Sequence, residues 1–120
     1  MPSSTYQLFR RAMQEKTPVL CLYGGYKRVL SPAILGHTEG EEKVLAFQSG
    51  GSSSTGLPPG GEWRCLSLSK ASEVQLGKSE WHWGPSHTQQ QSCVKDVDYD
   101  VNPESPYSPR RRLRRDKRSR

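Results

Sequence analysis

Apolar residues first recur at helical spacing, at Leu8, Phe9, Ala12 and Met13. Ser3 or Ser4 can cap such a helix, and Gln7, three residues after Ser4, completes a capping-box pattern. Pro18 disfavours helical geometry just before it, so the helix should fade at Lys16 and Thr17. The stripe is read as the face that packs the helix onto a sheet. After it the pattern turns to β. Residues 19–23 are a run of β-formers, Gly24-Gly25 is a two-residue hairpin turn, and residues 26–35 form a second run. Pro32 inside that run marks an edge or a bulge. Residues 36–42 form a turn, and residues 43–48 a third strand. Residues 49–62, mostly Gly, Ser and Pro, read as a mobile loop. Residues 63–70 alternate as a fourth strand, and residues 73–76 form a fifth that can extend to Trp83.

Beyond Gly84 the period is lost, except at residues 97–101, which alternate and can dock as a short extended piece. The chain is thus divided into a domain over residues 1–84, an extension over 85–102 and a disordered tail over 103–120. The fold class expected is mainly β with an N-terminal helix (α+β), as a small barrel or strongly bent sheet of about five strands.

Composition changes this picture in two ways. The apolar share is 32%, low for a globular chain, so part of the chain is not expected to fold, and Gly, Pro and Ser cluster in two places that localise the shortfall. The net charge of +6 is not spread evenly: residues 110–120 hold eight Lys/Arg and one Asp, and the other 109 residues sum to −1. Any general affinity for nucleic acid must come from the tail or from a local patch. Three cysteines, Cys21, Cys65 and Cys93, are an odd and widely spaced set, which argues against a disulfide framework. Cys21 and Cys65 are read as small hydrophobes in strands. The N-terminus lacks the pattern of a secretory signal, and no run is apolar enough to span a membrane. A soluble protein of a reducing compartment, the cytoplasm, is expected.

A further pattern lies in the order of particular residues: Tyr23, Gly25, Arg28, Pro32, Leu35-Gly36, Ala46-Phe47-Gln48, Gly50-Gly51, Trp63-Arg64, Leu66, Leu68, Lys70 and Val74. This ordered set resembles the WYL-like domains, specifically their short, free-standing bacterial members, over roughly residues 6–83. The family's Trp-Tyr-Leu triplet falls at Lys43-Val44-Leu45, where only the leucine agrees, and its Asp-Arg-Ile stretch appears as Ser69-Lys70-Ala71. The basic tail is not part of the family pattern. The resemblance implies an Sm/SH3-like barrel and a ligand-sensing, regulatory role, often attached to bacterial transcription regulators and sometimes linked to phage or CRISPR defence. It implies an anionic ligand, a nucleotide or single-stranded nucleic acid, received by Tyr23, Arg28, Arg64 and Lys70. No helix-turn-helix pattern accompanies them, so direct promoter control is not expected.

Those four residues suit an anion: arginine offers a planar fork, lysine a point charge and tyrosine a stacking face. The bland reading is surface charge paired with nearby Glu. The tail residues Arg110, Arg111, Arg112, Arg114, Arg115, Lys117, Arg118 and Arg120 would bind nucleic acid without sequence preference, or merely solubilise the chain. Trp81-His82-Trp83 suits base stacking or closure of a small core. His82, His87 and Cys93 are too loosely spaced for a zinc site, and no cofactor is expected. Glu39, Glu41 and Glu42 share one turn, where solvation explains them. The glycine-rich loop lacks the Lys-Ser/Thr of a phosphate loop, and no nucleophile motif is present, so the chain is not read as an enzyme. Two functions remain: nucleotide or nucleic-acid binding, and a protein-interaction adaptor.

Overall fold

The computed structural model describes residues 3–51, 57, 60–82 and 93–101. Within them the order is α1 (Ser4–Glu15), β1 (Val19–Tyr23), β2 (Tyr26–Thr38), β3 (Glu41–Gly51), β4 (Glu62–Ser67), a 3-10 turn (Leu68–Lys70), β5 (Ala71–Leu76) and β6 (Asp96–Asp100). The architecture is mainly β, with one N-terminal helix on an open antiparallel sheet. Residues 52–56, 58 and 59 of the loop over residues 49–62, Trp83, His87 and the entire basic tail lie outside the described residues. Among the described residues no helix is long and apolar enough to cross a membrane.

The helix starts where Ser3 caps it, its hydroxyl accepting from the Tyr6 amide at 3.1 Å. The expected capping box with Gln7 does not form. Glu42 of β3 fills that role from a distance, accepting from the Ser3 amide at 2.9 Å and the Ser3 hydroxyl at 2.6 Å. Glu42 therefore fastens the helix rather than simply facing water. The helix ends one residue before the left-handed Lys16, two residues ahead of Pro18. Tyr6, Phe9, Ala12 and Met13 are buried, whereas Leu8 of the expected stripe is only half-buried.

Gly24 and Gly25 both have positive φ, 62° and 82°, as a two-residue hairpin turn requires, and they join β1 to β2 in the register Tyr23↔Tyr26 and Val19↔Leu30. Strand β2 runs past residue 35 to Thr38. Pro32 is taken up by a bulge against β3, between the pairs Pro32↔Ala46 and Ile34↔Leu45. β3 is longer than its apolar run because Glu41 and Glu42 pair with Thr38 and His37, and Gly50 and Gly51 with Val29 and Arg28. β4 ends three residues earlier than expected, where the 3-10 turn redirects the chain into β5.

The strand order is β4-β3-β2-β1-β5, so β4 and β5, consecutive in sequence, stand at opposite ends. The sixth strand pairs with the second half of β2, at Ile34–His37, along the part of the β1 edge that β1 itself does not reach. Gly36 permits this approach: a Cβ there would collide with the Asp96 carbonyl oxygen. Val94, Val97, Tyr99 and Val101 thereby join Leu30, Ile34, Val44, Leu66 and the helix in one core.

The cysteine reading requires a correction. Cys65 and Cys93 form a disulfide with a Cα–Cα distance of 5.6 Å, joining β4 to the start of the β6 segment. An odd count leaves one cysteine over but does not prevent the other two from pairing. Cys21 alone is free, buried at the β1–β2 pairing as a small core residue.

Candidate functional site

Directly opposed residues of paired strands point to the same face of a sheet. The registers Cys21↔Arg28, Leu30↔Gln48 and Ala46↔Arg64 therefore place Arg28, Gln48 and Arg64 together with the core residues Leu30 and Ala46. The three polar side chains form one end of the inner face. Arg28 Nη1 donates to Gln48 Oε1 at 3.3 Å, and Arg64 Nε donates to the same oxygen at 3.2 Å. Gln48 is fully buried, and its amide nitrogen donates to the Gly50 carbonyl at 3.0 Å, which fixes its orientation.

Arg28 is 8% exposed. Its Nη2 donates to the Tyr23 carbonyl at 3.2 Å, and the guanidinium lies 5.1 Å from the Tyr23 ring centroid, within cation–π range. Its Nε is buried without a hydrogen-bond partner. Its partners are thus a carboxamide, a carbonyl and a ring, with no ion pair to a carboxylate among the described residues. A buried charge without a counter-charge is costly, which is why such groups are normally paired. Arg64 is closer to solvent and lies 3.6 Å from Glu62, whose side chain is half-exposed, so that rim pair neutralises little.

Tyr23 spans the sheet: its hydroxyl accepts from the Ser67 amide of β4 at 3.0 Å. Lys70 is exposed at the end of the 3-10 turn, next to Ala71, which pairs with Tyr23. Of the four residues singled out in the sequence, Tyr23, Arg28 and Arg64 are joined by direct contacts or through Gln48, and Lys70 stands at the margin. Gln48, present in the ordered set of residues, is the site residue that the sequence did not single out as one. Its local signal is a polar side chain closing the apolar run Val44, Leu45, Ala46, Phe47.

A cavity of about 360 Å³ lies alongside, lined by Leu20, Cys21, Lys27, Arg28, Gly51 and Glu73 among others. Its size is that of a small-ligand pocket. Burial pushes the Cys21 thiol up to about 11, against a smaller opposing pull from Arg28. The thiol is therefore protonated at neutral pH and offers no negative charge to its arginine neighbour. What the cluster presents is positive charge and hydrogen-bond donors on a rigid sheet.

The other sequence candidates fall elsewhere. His82 is exposed, its amide donating to the Ser31 hydroxyl at 3.0 Å, and Trp81 packs against the core. Cys93 is committed to the disulfide and cannot supply a zinc-binding thiolate. A second polar cluster, unforeseen in the sequence, ties three elements together. The Tyr6 hydroxyl donates to Asp98 Oδ2 at 2.5 Å, and His37 Nδ1 lies 3.1 Å from the same oxygen. The Tyr6 and His37 rings stack with centroids 5.5 Å apart. These contacts pin α1, β2 and β6 to one another. Comparison with protein families, curated proteins and solved structures finds no match for this chain.

Proposed function

We propose that the protein is a ligand-binding module that recognises a nucleotide or single-stranded nucleic acid through an anionic group held at Arg28 and Arg64. The observation that carries this reading is Arg28: a guanidinium nine-tenths buried, with an unsatisfied Nε and only neutral partners. A phosphate entering beside it would supply the missing counter-charge, and the planar fork suits phosphate oxygens. Tyr23 adds a face and Lys70 a rim charge. The proposal keeps the WYL-like, Sm/SH3-like reading of the residue order, beside a helix-first order and a 3-10 turn that carries the chain between the two ends of the strand order. The arginine-rich segment would add affinity without sequence preference. Catalysis is not part of this proposal. The Cys65–Cys93 bond suits oxidising surroundings, where disulfides persist.

The test is fluorescence anisotropy on the full chain with a labelled single-stranded oligonucleotide, and competition by nucleoside mono-, di- and triphosphates. Arg28→Ala and Arg64→Ala should each weaken nucleotide competition by about tenfold or more, as loss of a charge-assisted contact predicts. Unchanged competition in both variants would overturn the site. Retention of protein partners by a chain that binds no nucleotide would instead favour the adaptor reading.

A further inference from the structure

The sixth strand is held to the sheet by two fastenings of different chemistry. The first is non-covalent. Four residue pairs with β2, interrupted by a register shift, are flanked by the Val101 amide donating to the Ala33 carbonyl at 2.9 Å. At the other end the Thr38 hydroxyl donates to the Cys93 carbonyl at 2.7 Å and accepts from the Lys95 amide at 3.1 Å. The strand also carries two buried carboxylates, Asp98 and Asp100, into the fold. Asp98 is met there by the Tyr6 hydroxyl and by His37, contacts that add to this non-covalent hold.

The second fastening is the Cys65–Cys93 disulfide, which closes a loop with a sequence separation of 28. Arg64 and Leu66 face inward, so Cys65 between them faces outward, and it is exposed. A small thiol can therefore reach its sulfur without unfolding the sheet. Cys21, the remaining cysteine, is buried on the inner face beside Arg28, away from that exchange.

We propose that Cys65–Cys93 is a redox-operated clasp on β6, opened by dithiol reductants and closed by disulfide oxidants. In opening, a thiolate of the dithiol attacks the Cys65 sulfur. The protein S–S bond breaks, a mixed disulfide forms at Cys65, and the Cys93 sulfur leaves as a thiolate that takes a proton from water. The second thiol of the reductant, as its thiolate, then attacks the mixed disulfide and expels the Cys65 thiolate, which is protonated in turn. Two electrons pass to the protein and the dithiol ends as a cyclic disulfide. Closing is the same exchange run backwards with a disulfide oxidant. Losing the loop constraint raises the detached population of β6 on the order of a hundredfold, while the buried Val94, Val97, Tyr99 and Val101 keep the attached form dominant.

Hydrogen exchange on the full chain, oxidised and after dithiothreitol, tests this directly. Reduction should speed exchange of the amides of residues 96–101 by ten- to a hundredfold and leave the β1–β2 hairpin within about twofold. A Cys65→Ser/Cys93→Ser double variant should exchange like the reduced chain and ignore dithiothreitol. If that variant does not fold, the oxidised-against-reduced comparison of the unaltered chain decides alone. Equal acceleration in all strands would make the bond a general staple and overturn the proposal, as would no acceleration in β6. Alkylation and mass spectrometry showing Cys65 unpaired after oxidation would overturn it too.

Discussion

Arg28 brings a full charge into a place where the oxygens that meet it, on Gln48 and Tyr23, carry only partial ones. Stability and binding should therefore respond to its replacement with opposite signs. Arg28→Met keeps much of the side-chain volume and removes the unneutralised charge. It should leave the fold as stable or more stable by about 1 kcal/mol, measured by urea unfolding, while abolishing nucleotide competition. A loss of stability above 2 kcal/mol would make Arg28 a structural residue. Cys21, its cross-strand neighbour, gives a second expectation. Burial pushes its folded-state value up to about 11, above the ordinary thiol value of 9.0. The unfolded chain ionises this thiol first, so its contribution is full below pH 9 and is lost as pH rises toward 11. Urea midpoints at pH 8 and pH 10.5 should fall further apart in the wild-type chain than in Cys21→Ala. At this scale the sequence indicated Tyr23, Arg28 and Arg64 through their residue types and order. Gln48 and Glu42 were hidden because their partners, at Arg28, Arg64 and Ser3, are brought to them only by strand register.

Elements specified by their own residues were the readable ones. α1 has its cap and its Pro18, the β1–β2 hairpin has Gly24-Gly25, and Pro32 announces its own bulge. The ends of β3 and β4 were misjudged because pairing, rather than apolar content, extends the one, and the 3-10 turn cuts short the other. The docking site of β6 was unreadable, since alternation at residues 97–101 says only that a strand can form and not which edge receives it. Gly36 is where that choice becomes a steric fact. Gly36→Ala should cost about 3 kcal/mol and expose residues 96–101 to exchange, because its methyl group and the Asp96 carbonyl cannot share the space. A change below 1 kcal/mol by urea unfolding would mean that β6 is not seated against β2 in this register.

Across the whole molecule, charge and fold are separate properties. Residues 110–120 carry a net +7 while the other 109 residues sum to −1. Salt should therefore act mainly through that segment. With eight basic residues available, log affinity for a single-stranded oligonucleotide should fall with log salt at a slope of about −5. Replacing the seven arginines of the segment with glutamine should flatten the slope to about −2 or less, with nucleotide competition at Arg28 unaffected. A slope unchanged by these replacements would return the electrostatic footprint to the body.

The arrangement of β2 also bears on how the chain is made. One thirteen-residue strand accepts β1 and β6 on one side and β3 on the other. Four core side chains, from Val94 to Val101, arrive only with the last described segment. A chain leaving the ribosome has finished its helix and five strands while half of one β2 edge still lacks its neighbour. Until β6 emerges, Ile34 and Leu35 belong to an open strand edge, where aggregation starts.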